Sequence, residues 1–248
     1  MEIKNRSGLN ISNLTDWFQH APPAKGEAHW IDGRSAKELA KSWINSGEPK
    51  VPGELERLLD SHQDTKGVIA EIAIPECETK LDAFNGSGRK HDLIVYGKTS
   101  VNKILISIEA KADEPFGEVI SNLIKRYSTN PRTKVPERIK QLGLSVFGYR
   151  EFGHIRYQLL HAVAGTLIEA RINNCDQAVF VVHEFVPSGI HSKKSKQNNE
   201  DFQTFVELLT GTPLIEGQLI GPIKVIGGTN IPSNIPLYIG KIESAIEI

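Results

Sequence analysis

Asp92 opens one apolar run, His91-Asp92-Leu93-Ile94-Val95-Tyr96-Gly97, and a Glu-x-Lys closes the next, Ile104-Leu105-Ile106-Ser107-Ile108-Glu109-Ala110-Lys111. Two carboxylates and an ammonium on neighbouring strands can hold a divalent cation and the water it activates, which is the equipment for cutting a phosphodiester. In the second run Leu105, Ser107, Glu109 and Lys111 alternate with Ile104, Ile106, Ile108 and Ala110, so Glu109 and Lys111 share a face. If residues 98–103 turn an antiparallel hairpin, Asp92 lies opposite Glu109, with Cβ atoms roughly 4.5–5.5 Å apart. A slip of one residue would send Asp92 to the other face. The pattern acid-x-Lys occurs five times, at Glu2, Glu48, Asp64, Glu78 and Glu109. Only Glu109 follows a strand-forming run with an Asp-headed run upstream. The plain alternative is a solvated Lys–Glu pair at a strand end, which contributes little.

These residues need elements to hold them. The first thirty residues read as irregular, with Pro22-Pro23 and scattered glycine. A helix is predicted from Ser35 as N-cap to about Gly47, with Leu39, Ala40 and Trp43 on one side, and a short one over 53–62. Residues 67–74 read as a strand that Pro75 interrupts. Asn85-Gly86-Ser87-Gly88 turns the chain into the Asp92 strand. Helices follow over about 117–126, 136–147 and, most clearly, 156–172, whose stripe is Leu159, Leu160, Val163, Leu167 and Ile168. A buried strand over 178–186, a helix near 201–209 and short strands near 223–226 and 237–242 complete the chain. Gly97-Lys98-Thr99-Ser100 resembles the end of a phosphate-binding loop, but that motif needs glycine where Asp92 stands.

At 248 residues, 39% hydrophobic and 24% charged, the chain suits one large globular domain. No stretch approaches the roughly 20 apolar residues of a membrane span, and the opening residues lack a signal-peptide core, so a cytoplasmic protein without a membrane partner is expected. Cys77 and Cys175 match no zinc or redox spacing and read as buried thiols in a reducing compartment. The net charge of −1 is unevenly spread. Between 119 and 160, Lys125, Arg126, Arg132, Lys134, Arg138, Lys140, Arg150 and Arg156 face only Glu137 and Glu151, eight against two, a balance of +6. Such a segment suits a polyanion, since phosphate contacts dominate non-specific DNA affinity; a solvated helical surface is the bland alternative. A smaller basic patch, Lys193, Lys194 and Lys196, falls in a predicted loop.

The order helix, strand, strand, strand, helix, strand, with Asp92 and Glu109-Ala110-Lys111 on the second and third strands, resembles the PD-(D/E)XK, or restriction-endonuclease-like, superfamily. Glu114-Pro115-Phe116-Gly117 and Arg156-Tyr157-Gln158-Leu159-Leu160-His161 resemble in particular an uncharacterised bacterial family. The likeness covers residues 30–186 and extends only loosely to 187–248, which is expected to pack on that core as an accessory segment. It implies an α/β fold with a central mixed four-stranded sheet flanked by helices, followed by a C-terminal α+β extension. It implies a Mg²⁺- or Mn²⁺-dependent endonuclease acting on double-stranded DNA, related to restriction or phage defence, with a homodimer for double-strand cutting. Asp92, Glu109 and the Ala110 carbonyl would bind metal, Lys111 would orient or polarise the attacking water, and Gln158 would contact substrate or the metal's water. His91 stands where the superfamily's proline would be. A further acid would come from Glu71, in mid-strand, or Glu38, with Glu76 a weaker option. Lys125, Arg126, Arg132, Lys134, Arg138, Lys140 and Arg156 would meet the nucleic acid, Arg156 together with its helix N-terminus. His161 and His183 read as structural, and Asp113 and Glu114 as caps of the following helix. The competing expectations are a catalytically inactive nucleic-acid- or protein-binding module on the same scaffold, or a metal-dependent hydrolase of another substrate.

Overall fold

Every residue from Gln177 to Val186 is buried, which only a strand with neighbours on both edges and layers on both faces allows. The computed structural model, which describes residues 1–45, 47–130, 132–188 and 191–247, builds those surroundings. The elements begin β1 (Glu2–Ile3), α1 (Leu14–His20), a 3-10 turn (Gly26–His29), α2 (Ser35–Trp43), β2 (Ile44–Asn45), β3 (Glu48–Pro49) and α3 (Gly53–Asp60). They continue β4 (Ile69–Thr79), β5 (Arg89–Lys98), β6 (Lys103–Lys111), α4 (Ile120–Tyr127), α5 (Val135–Phe147) and α6 (Tyr157–Ile172). Then come β7 (Gln177–Pro187), α7 (Lys193–Thr210), β8 (Ile220–Ile223) and β9 (Leu237–Ile246). The fold is mixed α/β, with seven α-helices among the described residues and a mixed sheet of seven strands in the order β1-β4-β5-β6-β7-β9-β8. None of the described helices is long and apolar enough to cross a membrane.

β4, β5 and β6 form an antiparallel meander, whereas β7 joins β6 in parallel and β9 joins β7 in parallel. A parallel neighbour needs a crossover, and α4–α6 and α7 supply the two. Two apolar cores result. One face of the sheet, through Ile94, Leu105, Phe180 and Ile239, packs on α5, α6 and α7; the other, through Leu93, Ile106, Val181 and Tyr238, packs on α1, α2 and α3. Helix α6 is buried nearly all round, and Gly165 brings it onto the sheet: a Cβ there would lie 2.9 Å from His91 Cε1 and 3.0 Å from Arg89 Cγ.

Several expectations change. The sheet has seven strands, not four, because β9 runs ten residues along β7 and carries β8 on its far edge, so residues beyond 187 belong to the sheet. Pro75 does not end β4: Pro75↔Leu93 and Cys77↔His91 keep one register, with Glu76 between them at φ 52°. The alternation flips there, since Ile74 and Cys77 both pack on the α6-side core although three residues apart. Helix α7 begins at Lys193, not near 201, because the Ser192 hydroxyl accepts the Ser195 N–H at 3.1 Å and caps it. Lys193, Lys194 and Lys196 therefore stand in helix rather than loop. Helix α2 stops at Trp43, where the chain extends into the β2–β3 hairpin.

Candidate active site

The site lies where β5 parts from β6. Pairing between them runs to Leu93↔Ile108, the register that sets Asp92 against Glu109, and stops there. Beyond that pair the Ala110 N–H donates to Asp92 Oδ2 at 2.7 Å, so a side chain has taken over a rung of the ladder. His91 has turned toward α6, where its ring meets Ser107 Oγ at 2.8 Å and Thr79 Oγ1 at 3.1 Å. Glu76 on β4 and Asp92 on β5 thus occupy matching kinks, and the sheet forks open between them and the end of β6.

Glu109, 1% exposed, accepts from three side chains. Lys111 Nζ, at 2.5 Å, and Gln158 Nε2 reach Oε1, while Arg89 Nη2 reaches Oε2. Lys111 Nζ also lies 3.2 Å from the Ala110 carbonyl oxygen and 5.3 Å from the centre of the Phe116 ring. Burial alone would raise the Glu109 carboxyl, but Arg89 and Lys111 override it and hold it below the ordinary carboxylate value. Burial would lower Lys111, yet Glu109 and Asp92 keep its ammonium above the ordinary lysine value. Asp92 has no such guard. Burial first, and then the charge of Glu109, push it up to about 7 against Lys111 and Arg89. Burial also raises Glu76.

Asp92, Glu109, Ala110, Lys111 and Gln158 all line one cavity of about 360 Å³, so the sequence-predicted set is assembled in space. Glu76 and Lys90 share it; Glu38 and Glu71 do not. Glu71 is exposed and pairs with Lys98, because the register shift between Ala70 and Ile72 turns it outward rather than into the sheet's core. Glu38 is buried and is spent on the Gly33 N–H at 2.8 Å and Lys41 Nζ at 2.9 Å. Among the described residues no group of three or more His, Cys, Asp or Glu side chains is placed to hold a metal ion. Two carboxylates and a backbone carbonyl still suit a hard divalent ion that keeps several waters. Burial and then the charge of Glu109 raise the Asp92 carboxyl, and a bound cation would offset both.

The basic segment is only partly available. Lys125, Arg132 and Lys140 are exposed. Arg126 pairs with Glu118, and Lys134 with Glu137 at 2.9 Å. Arg138 and Arg156 are half-buried and paired: Arg138 binds Asp82 through Nε and, at 3.1 Å, Nη2, and Arg156 binds Asp201 at 2.7 Å and the Gly117 carbonyl at 2.8 Å. Partners remote in sequence therefore hold both, unlike the exposed Lys125, Arg132 and Lys140. Asp113 and Glu114 do not cap α4, which starts at Ile120; Asp113 pairs with Lys194 at 2.9 Å and Glu114 accepts from Ser35 Oγ. His161 stacks on Tyr157, and His183 meets Ser244 Oγ at 2.8 Å; burial drives both rings down to about 3.

Two features escaped the sequence. Arg89, three residues before Asp92, was hidden because nothing in a Gly-Ser-Gly-Arg turn marks a buried cation. The far wall of the cavity comes from the opening residues, Trp17, Pro23, His29 and Trp30 among them. Two tryptophans in a proline- and glycine-bearing stretch were the available signal.

Fold and site together define an α/β protein with an acid pair, Asp92 and Glu109, at the fork of a mixed sheet. The chain belongs to the family described as Domain of unknown function (DUF6946), whose model matches residues 10–246. No curated protein and no solved structure matches it.

Proposed function

We propose that this protein is a divalent-metal-dependent nuclease that hydrolyses phosphodiester bonds in DNA, on a restriction-endonuclease-like core formed by α2, β4, β5, β6, α6 and β7. The observation that carries the reading is the convergence of Asp92, Glu109 and Lys111 on one cavity at the sheet's fork. Asp92, Glu109 and the Ala110 carbonyl would hold Mg²⁺ or Mn²⁺, which would supply Lewis-acid polarisation of the phosphodiester. The chain's own contribution centres on Lys111. Of its three N–H donors, one goes to Glu109 Oε1 and one to the Ala110 oxygen, which leaves one for the phosphate. A well-placed donor at developing charge is worth about 3–4 kcal/mol, or roughly 10²–10³ in rate. Gln158 and Arg89 fix the Glu109 carboxylate from two sides, so the acid pair is oriented before substrate arrives. A cytoplasmic role in restriction or phage defence, and a homodimer, belong to the same proposal.

A second reading has its own support: Glu109 is already neutralised by Arg89 and Lys111, as a purely structural cluster on a non-catalytic binding module would be. Cleavage of DNA and RNA by the purified protein, with and without Mg²⁺ or Mn²⁺, separates the two. Metal-dependent cutting lost in Lys111→Ala and Asp92→Ala is expected. Mn²⁺ should also stabilise the wild type by about 2.7 kcal/mol at a hundredfold excess over Kd, read as a higher melting temperature, and leave Asp92→Ala unmoved. No cutting of either nucleic acid and no Mn²⁺ shift would leave the binding module standing instead.

A further inference from the structure

The cavity at the fork has two unlike walls. One carries Asp92, Glu109, Lys111 and Lys90 from the sheet; the other is formed by Trp17, Pro23, His29, Trp30 and Leu39. Phosphodiester hydrolysis uses only the first. Trp17 is buried and forms part of the apolar core beneath α2. Trp30 is held differently: it stays partly exposed and is braced by Phe18, ring centres 5.4 Å apart at 36°. An indole braced by a second aromatic ring at a cavity wall that His29 also lines offers aromatic surface to whatever enters.

Size limits what that is. A space of about 360 Å³ is at the small end of the roughly 300–1,000 Å³ range of small-ligand pockets, room for about one nucleotide inside it. A base enters such a pocket only by leaving the stack, which costs least in a strand that is already single. We infer that the cavity seats one unstacked nucleotide, its base against Trp30 and His29 and its phosphate toward Asp92, Glu109 and Lys111, so that the substrate is single-stranded DNA rather than continuous duplex. The inference rests on the phosphodiester reading and departs from the double-stranded substrate that the family resemblance implied. Base stacking on an aromatic ring is tolerant of sequence, so the seat selects strandedness rather than a base.

The test is binding of a short single-stranded DNA oligonucleotide and of the same sequence as a blunt duplex, in Ca²⁺, followed by tryptophan fluorescence. Of the three tryptophans Trp43 is fully buried and off the cavity, so quenching reports Trp17 and Trp30. The single strand should bind at least about tenfold more tightly than the duplex. Trp30→Ala should weaken it about 5- to 150-fold, the range for one lost base stack. Trp30→Phe, which keeps a ring against Phe18, should retain most of the affinity, and His29→Ala should fall between. Duplex binding as tight as single-strand binding, or an unchanged affinity in Trp30→Ala, overturns the seat. Cleavage in Mg²⁺, measured in parallel, keeps the two ideas apart. Duplex cutting that survives Trp30→Ala overturns the seat alone, whereas Trp30-dependent binding without cutting supports the seat and overturns the hydrolytic reading.

Discussion

Replacing Arg89 by methionine probes the charge arrangement behind Glu109. The two side chains are 8% and 1% exposed, so the pair is desolvated, and truncating one partner of a buried pair costs about 3–5 kcal/mol. Two features pull the value to the lower end. Lys111 and Gln158 still donate to Glu109 Oε1, and the Arg89 Nε–H, buried with no partner among the described residues, is removed. Glu109 can also escape by taking up a proton. From an ordinary value of 4.5 that costs about 3–4 kcal/mol at pH 7. The expected loss is therefore about 3 kcal/mol at pH 7, read as a lower urea midpoint at unchanged m-value. In the wild type the Glu109 carboxyl lies below its ordinary value, so its contribution is present above about pH 4.5 and is lost as pH falls through the depressed value. In the variant the carboxyl rises above its ordinary value, so the gap between the proteins narrows as pH falls from 7 toward 4.5. In a Glu109→Gln background the same replacement should be neutral or stabilising, because the buried cation no longer has its counter-charge. A wild-type loss below about 1 kcal/mol, or an equal loss in both backgrounds, would refute the reasoning.

Gly165→Ala should cost about 1–3 kcal/mol, since its methyl would sit 2.9 Å from His91 and 3.0 Å from Arg89; a thermal melt within a degree of wild type would show that the helix shifts freely. His183 is neutral because burial holds its ring down to about 3, so its contribution is whole above about pH 6.5 and falls with pH below that, by about 2 kcal/mol at pH 5. His183→Gln should flatten that part of the stability–pH curve, and parallel curves for the two proteins would count against the assignment.

Much of the site was legible because its signals are local. The alternation of Ile104, Ile106, Ile108 and Ala110 with Leu105, Ser107, Glu109 and Lys111, and the turn before them, were enough to set Asp92 against Glu109, and Leu93↔Ile108 keeps that register. Helix α6 was legible for the same reason, its apolar residues recurring every three or four positions. Which further carboxylate reaches the cavity was not. Glu71 and Glu76 lie on the same strand, and a bulge at Ala70/Ile72 and the left-handed turn at Glu76 decide that the first faces solvent and the second the cavity. Alternation counted from the sequence assumes an unbroken strand and fails at both points.

By itself the sequence determined the central strands β5, β6 and β7, the β5–β6 register and the residue types of the acid pair, because side-chain period and residue type are properties of neighbours along the chain. Only the tertiary structure decided which charges remain for a ligand. Arg156 is engaged by Asp201 and Arg138 by Asp82, while Arg89 braces Glu109 at the cavity, each across a separation no periodicity spans. The aromatic wall likewise comes from residues some sixty or more positions before Asp92. A buried charge must find its partner wherever packing brings one, and that choice is made in space rather than along the chain.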